Sequence, residues 1–190
     1  MCGDEIYFHR GTNAALRDNH WDIIYIGTLF TFQWRGVVET INFYAKSKKK
    51  IFIGGILASL LPEEIEKSTG IKPHIGLFKG DINQIINVIS DDEDLTQLSS
   101  EISKNGIDFL PPDYGLFNGL SVPYQKALDE YYILRTTKGC SRACNFCAVK
   151  YLQPNLVQKI PLEPYIAYIE KRWGGKRNLL LLDDINLAIK

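Results

Sequence analysis

Short apolar runs rich in β-branched residues alternate along this chain with stretches that carry apolar residues at helical spacing. That alternation restricts the fold to parallel strands joined by crossover helices. Asp22–Leu29 (D-I-I-Y-I-G-T-L) reads as a strand buried on both faces. Behind it, Trp34, Val37, Val38 and Ile41 share one face of a helix. Lys50–Ile53 is a second buried strand, closed by Gly54-Gly55. Pro62 suits a first helical turn, Glu63 and Glu64 suit the positive end of the helix dipole, and Gly70 is a stop. Ile82, Ile85, Ile86 and Ile89 lie in register behind Asp81, a capping residue. A further helix around Leu95, Leu98 and Ile102 ends near Gly106, and Ile107–Leu110 reads as a short strand that stops at Pro111-Pro112.

The stretch 112–130 is irregular, aromatic and marked by Pro and Gly, as a linker would be. A second unit begins near Tyr131 with a strand, Ile133–Thr137, then a cysteine loop. A helix comes next with Leu162, Tyr165, Ile166 and Ile169 on one face, then a Gly174-Gly175 stop and a strand at Asn178–Leu182. These form one βαβ unit whose strands should lie parallel in one sheet. The expected organisation is therefore a parallel-sheet domain over 1–111, a linker over 112–130 and a second α/β domain over 131–190. Neither domain reads as finished: the first lacks an opening strand and helix, and the second ends after two strands.

Parallel sheets bind ligands at the carboxyl ends of their strands. Thr28, after Gly27, and Gly54 and Gly55 stand at two such ends and are candidate ligand contacts; ordinary strand-to-helix turns would place the same residues there.

Cys140, Cys144 and Cys147 read C-S-R-A-C-N-F-C at the end of the Tyr131–Thr137 strand. Three thiolates so close can ligate three irons of a cubic 4Fe–4S cluster and leave the fourth iron open to a substrate or cofactor. A structural zinc site wants four Cys or His ligands. No cysteine comes after Cys147, and His9, His20 and His74 all lie in the first half of the chain. A disulfide framework does not suit four cysteines without a secretory signal, Cys2 standing far from the rest. Arg142, Lys138 and Lys150 carry the positive charge that favours thiolate, or face solvent.

The formal net charge is zero, which gives no long-range pull toward nucleic acid or an anionic membrane. Lys46-Ser47-Lys48-Lys49-Lys50 reads as a solvated loop before the Ile51-Phe52-Ile53 strand. No apolar run is long enough to span a bilayer. A neutral, thiol-bearing chain without a signal points to the cytoplasm.

T-K-G-C-S-R-A-C-N-F-C-A-V resembles the cluster loop of radical S-adenosylmethionine enzymes, CxxxCxΦC with Φ aromatic, and Phe146 fills Φ. More closely, W-D-I-I-Y-I-G-T-L-F-T-F, I-F-I-G-G-I-L-A-S-L-L-P-E and L-L-L-L-D-D-I-N-L-A are similar to segments of the subfamily with an N-terminal cobalamin-binding-type domain. The resemblance covers essentially the whole chain. It implies an α/β fold: an incomplete Rossmann-like parallel-sheet domain, then the first βαβ of a partial (β/α) radical SAM barrel. It implies that Cys140, Cys144 and Cys147 hold a 4Fe–4S cluster and that Phe146 packs near the adenine of S-adenosylmethionine. Asp183, Asp184 and Asn186 would meet that cofactor's amino group or ribose, although the family's usual Gly-Gly-Glu is absent here and Ile185 interrupts the related Asp-Asp-Asn.

The implied activity is reductive cleavage of S-adenosylmethionine to start radical chemistry on an unidentified, small-molecule or other, substrate, with flavodoxin or ferredoxin as electron donor. Cobalamin is an open expectation: the D-x-H-x-x-G motif of histidine-ligated domains is imitated by Asp18-Asn19-His20, but Ile23 stands where glycine belongs, so His20 reads as a loop residue. A transfer-RNA methylthiotransferase would carry a second cysteine triad in its first domain, where this chain has Cys2. The rival readings are a zinc or electron-transfer module and a small-ligand-binding domain in which the cysteines are incidental.

Overall fold

The chain is a mixed α/β protein in a computed structural model that describes residues 5–78, 93–100, 102, 106–117, 126, 128–142, 144–153, 158–159, 161–175 and 178–183. It divides into two compact units, one holding 9–78 with 145–152 and the other holding 1–8, 79–144 and 153–190. The amphipathic stretch expected at Ile82–Ile89 behind Asp81 lies outside the described residues.

In the first unit, β1 (Ile23–Thr28) and β2 (Lys50–Gly55) pair in parallel, from Ile23 opposite Lys50 to Thr28 opposite Gly55. Ahead of them lies α1 (Ala14–Asp18), capped by Asn13, whose side-chain oxygen accepts the Leu16 N–H at 3.2 Å. The crossover is α2 (Trp34–Ala45), which buries Ile41 as its helical spacing predicts and, with it, Tyr44. After β2 come α3 (Ile56–Leu60) and α4 (Pro62–Thr69). Pro62 opens α4, and Gly70 ends it at φ 72°, its N–H donating to Glu66 O at 2.8 Å. Ile26, Ile41, Tyr44, Ile53, Leu57, Ala58 and Ile65 form the core. Full burial of side chains such as Ile41, Leu57 and Ile65 contributes about 1.5–3 kcal/mol each.

Burial of β1 on both faces, expected from its apolar run, is not found. Ile26 and Thr28 are buried, whereas Ile23 is exposed and Tyr25 is 66% exposed. The period-two alternation of a strand sends the first pair toward the helices and the second pair to the opposite face. That face carries aromatic rings instead of a helix: Phe52 lies 5.5 Å from Tyr25, 5.5 Å from His74 and 6.0 Å from Phe78, centroid to centroid.

The carboxyl ends of β1 and β2 are tied by one buried hydroxyl. Thr28 Oγ1 donates to Gly54 O and accepts the Ala58 N–H of α3, both at 2.9 Å. Gly55 turns the chain at φ 106°, and a Cβ built there would stand 2.1 Å from Thr28 O. Both the backbone angle and the approach exclude a side chain. Gly55→Ala is therefore expected to lower stability by about 2 kcal/mol or more. The check is the urea midpoint at unchanged slope; a midpoint equal to that of the parent chain would contradict the close approach.

The second unit contains the βαβ element expected from the sequence. β3 (Tyr131–Leu134) pairs in parallel with β6 (Asn178–Leu181), Tyr131 opposite Asn178 and Leu134 opposite Leu181. Between them lie β4 (Thr137–Lys138), which pairs antiparallel with β5 (Gln158–Lys159), and α6 (Leu162–Trp173), ended by Gly174 at φ 80°. The intervening helix α5 (Val149–Leu152) belongs to the first unit. Leu95, Leu98, Ile102, Phe109, Tyr132, Leu134, Tyr165, Tyr168 and Ile169 form the second core.

The strand expected at Ile107–Leu110 is instead a 3₁₀ turn, Gly106–Phe109. Leu110 N–H donates back to Ile107 O at 3.1 Å, and Phe109 is buried with its carbonyl accepting the Tyr165 hydroxyl at 2.6 Å. Pro111 and Pro112 have no N–H with which to continue a ladder, so the segment closes on itself. The expected helix near Leu95 begins as a 3₁₀ turn, Leu95–Leu98, and Ser99, Ser100 and Ile102 continue in helical conformation.

Tyr114, in a 3₁₀ turn at Tyr114–Phe117, treats β3 as a neighbouring strand would. Its hydroxyl donates to Ile133 O at 2.9 Å and accepts the Ile133 N–H at 3.0 Å. Burial pushes this hydroxyl up to about 12, the Ile133 hydrogen bond opposing the rise and Tyr132 adding to it. The folded chain thus keeps a proton that the unfolded chain releases from about pH 10 upward. The stabilisation is complete below about pH 10 and is lost as pH rises toward about 12. Denaturation midpoints measured across this window should fall in the parent chain and fall less steeply in Tyr114→Phe; parallel curves would refute the assignment.

Candidate metal centre

The cysteine loop begins where the second unit's sheet ends. β3 stops at Leu134, Thr136 and Thr137 carry the chain past the strand end, and β4 holds Thr137 and Lys138 in pairing with Lys159 and Gln158. Thr137, Lys138 and Gly139 are buried. Gly139 then takes φ 85°, a left-handed angle that glycine adopts without strain, and leads into half-buried Cys140.

Asp183 closes this end of the sheet from the other strand. Its Oδ1 accepts the N–H groups of Thr136 at 2.6 Å and Thr137 at 2.9 Å, and its Oδ2 accepts the Thr136 hydroxyl. The carboxylate expected to face a cofactor is thus engaged by three donors of the chain itself. Asp184 and Asn186 lie outside the described residues.

Cys140, Cys144 and Cys147 are all half-buried free thiols. The N–H of Arg142 donates to Cys140 Sγ at 3.3 Å, a contact of the kind that tunes sulfur ligands. Among the described residues no group of three or more His, Cys, Asp or Glu side chains is arranged to hold a metal ion. In chemistry the donor set fits a three-thiolate cluster: three unpaired sulfurs within eight residues, none in a disulfide. Two buried oxygens border the loop in sequence without a hydrogen-bond partner, Thr137 Oγ1 and Gln153 Oε1.

Phe146, expected over the adenine of a cofactor, is 94% exposed. Lys150 Nζ donates to Asn145 Oδ1 at 3.3 Å and lies 4.7 Å from the Tyr151 ring centroid, so its charge has local partners. Arg142 is exposed and Lys138 is buried in β4. Thr28, Gly54 and Gly55 stand at strand carboxyl ends as expected, but Thr28 and Gly54 are tied to each other and Gly55 makes the close turn. His20 lies exposed ahead of β1, a loop residue as read from the sequence.

Sequence reasoning missed Thr136 and Thr137 as partners of Asp183. The signal was present in the strand register, since Thr136 and Asp183 continue the offset of 47 residues that pairs Leu134 with Leu181 (181 − 134 = 47). Among the described residues no helix is long and apolar enough to cross a membrane. Comparison of the chain with protein-family models and with curated proteins gives no match.

Proposed function

We propose that this chain is a radical S-adenosylmethionine enzyme in which Cys140, Cys144 and Cys147 ligate three irons of a 4Fe–4S cluster. The observation that carries the reading is the position of the cysteine loop. It leaves the carboxyl end of the first strand of a parallel βαβ unit, where α/β folds place their chemistry, and its three thiols are unpaired. In this reading β3, α6 and β6 begin a partial (β/α) barrel. The β1–α2–β2 crossover belongs to a Rossmann-like domain of the cobalamin-binding type.

When bound, such a cluster supplies the electron that splits a carbon–sulfur bond of S-adenosylmethionine and so starts hydrogen abstraction from a substrate. The chain's own residues hold and shield. The three thiolates are the ligands, and the Arg142 N–H, already directed at Cys140 Sγ, lowers the electron density on that sulfur. Gly139 sets the direction in which Cys140 leaves the sheet. Phe146, unpacked and exposed, is available to cover the adenine of the cofactor. Asp184 and Asn186, next along the chain after Asp183, are proposed contacts for its ribose or amino group. A small electron carrier, flavodoxin or ferredoxin, is the proposed donor. Ligand binding by a loop of this kind couples metal uptake to local folding, so grouping of the three thiols is proposed to accompany cluster assembly.

Anaerobic reconstitution with iron and sulfide tests the proposal. The expected product is a brown protein with about four irons per chain, whose reduced spin signal changes on addition of S-adenosylmethionine. Cys144→Ala should lose the chromophore while keeping the fold. A colourless protein that takes up zinc in preference to iron, or a brown one indifferent to S-adenosylmethionine, would overturn the reading.

A further inference from the structure

We infer that Asp183 is the positioning residue of the cysteine loop, fixing the chain at Thr136 and Thr137 so that Cys140 leaves the sheet at one defined point. The consequence for cluster assembly rests on the function proposed above; the restraint itself does not. Asp183 stands immediately beyond β6, after Leu182, whose N–H donates to Leu134 O at 2.8 Å. At that point the β3–β6 pairing ends, and the backbone donors of Thr136 and Thr137 have no acceptor on β6 across from them. The carboxylate supplies one. Oδ1 takes both N–H groups, and Oδ2 takes the Thr136 hydroxyl. Hydrogen bonds to an ionised acceptor are about twice as strong as neutral ones, and three on one carboxylate define its orientation.

Between Thr136 and the first thiol every residue is buried. Thr137 is held by Asp183 and by pairing with Lys159, Lys138 is buried and pairs with Gln158, and Gly139 makes a single left-handed turn. Cys140 comes directly after. Asp183 is thus the far end of a short, buried path to the first ligand, and it acts on that ligand through the backbone. The Thr137 hydroxyl takes no part: it is buried and has no partner, so Asp183 holds this residue by its amide alone.

Three variants of the full chain separate the contributions. Asp183→Ala removes both acceptors. Asp183→Asn keeps the volume and one carbonyl oxygen for the two amides. Thr136→Val removes the hydroxyl donor only. In the metal-free protein, amide hydrogen exchange at Thr136 and Thr137 should rise about tenfold or more in the Ala variant and stay within about threefold of the parent in Asn. Alkylation of Cys140 should change in rate in the Ala variant, and iron bound on reconstitution should fall about tenfold, both returning with Asn. Unchanged exchange at Thr136 and Thr137 in the Ala variant overturns the inference. Should that variant fail to fold, Thr136→Val decides: faster exchange at Thr136 supports the restraint and parent-like exchange overturns it. A parent chain that takes up no cluster, while Ala still accelerates exchange, defeats the proposed function and leaves the positioning role standing. Equal exchange and equal iron loading in parent and Ala defeat the positioning role and leave the proposed function standing.

Discussion

Parallel strands have no hairpin to join their ends, so the carboxyl ends of a parallel pair must be held by something other than a turn. Both units of this chain meet that requirement with one polar side chain, at or just past the end of one strand, reaching the backbone at the end of the other. In the first unit it is the Thr28 hydroxyl, shared between Gly54 O and the Ala58 N–H. In the second it is the Asp183 carboxylate, which gathers the amides of Thr136 and Thr137. Apolar burial holds the helices against the sheets, but it is non-directional and does not specify where a strand stops. The directional contacts at the strand ends do, and the segments that leave each sheet take their starting points from them.

The two ties differ in kind, and so do the segments they serve. Thr28 is neutral and almost fully buried, and β2 leads into a compact α3–α4 pair packed on the core. A neutral hydroxyl suits that place, because a carboxylate there would cost far more to remove from water. Asp183 is half-buried at the margin of its sheet, and β3 leads into the cysteine loop. An ionised acceptor keeps partial hydration there and holds three donors at once. The chemistry of each tie matches its burial, with the charged one standing ahead of the segment that carries the three free thiols.

Much of this architecture was legible in the residues. The β1–α2–β2 crossover, the Pro62 start and Gly70 stop of α4, and the parallel pairing across α6 all stem from periodicity and from local backbone preferences. What failed were inferences from hydrophobicity alone. The β1 run is apolar on both faces, yet on one of them Tyr25 stays exposed and meets only the Phe52 ring of β2, which in turn packs with His74 and Phe78. Ile107–Leu110 is apolar enough for a strand, but its conformation is set by Phe109 entering the core and by the two prolines behind it. Composition records that a side chain avoids water; it does not record which neighbour provides the shelter. Tyr114 shows the same limit, since nothing local to its sequence announces that its hydroxyl will complete the edge of β3 nineteen residues away.

The candidate site was legible to a different degree at each of its layers. The thiols announce themselves by spacing, because no ordinary packing role asks for three cysteines in eight residues. Their support does not, because Thr136, Thr137 and Asp183 are common residues whose relation appears only once the strand register is known. Taking Leu134 opposite Leu181 and moving two residues along each strand places Thr136 opposite Asp183, so the contact arises from the pairing and not from any motif. Resemblance alone gives Asp183 to a cofactor. The register gives it first to the chain, and a carboxylate already holding three donors has less capacity left for a further positive or polar partner. Polar residues after a strand end in sheets of this kind are therefore better assigned by counting across the ladder before they are assigned to a ligand.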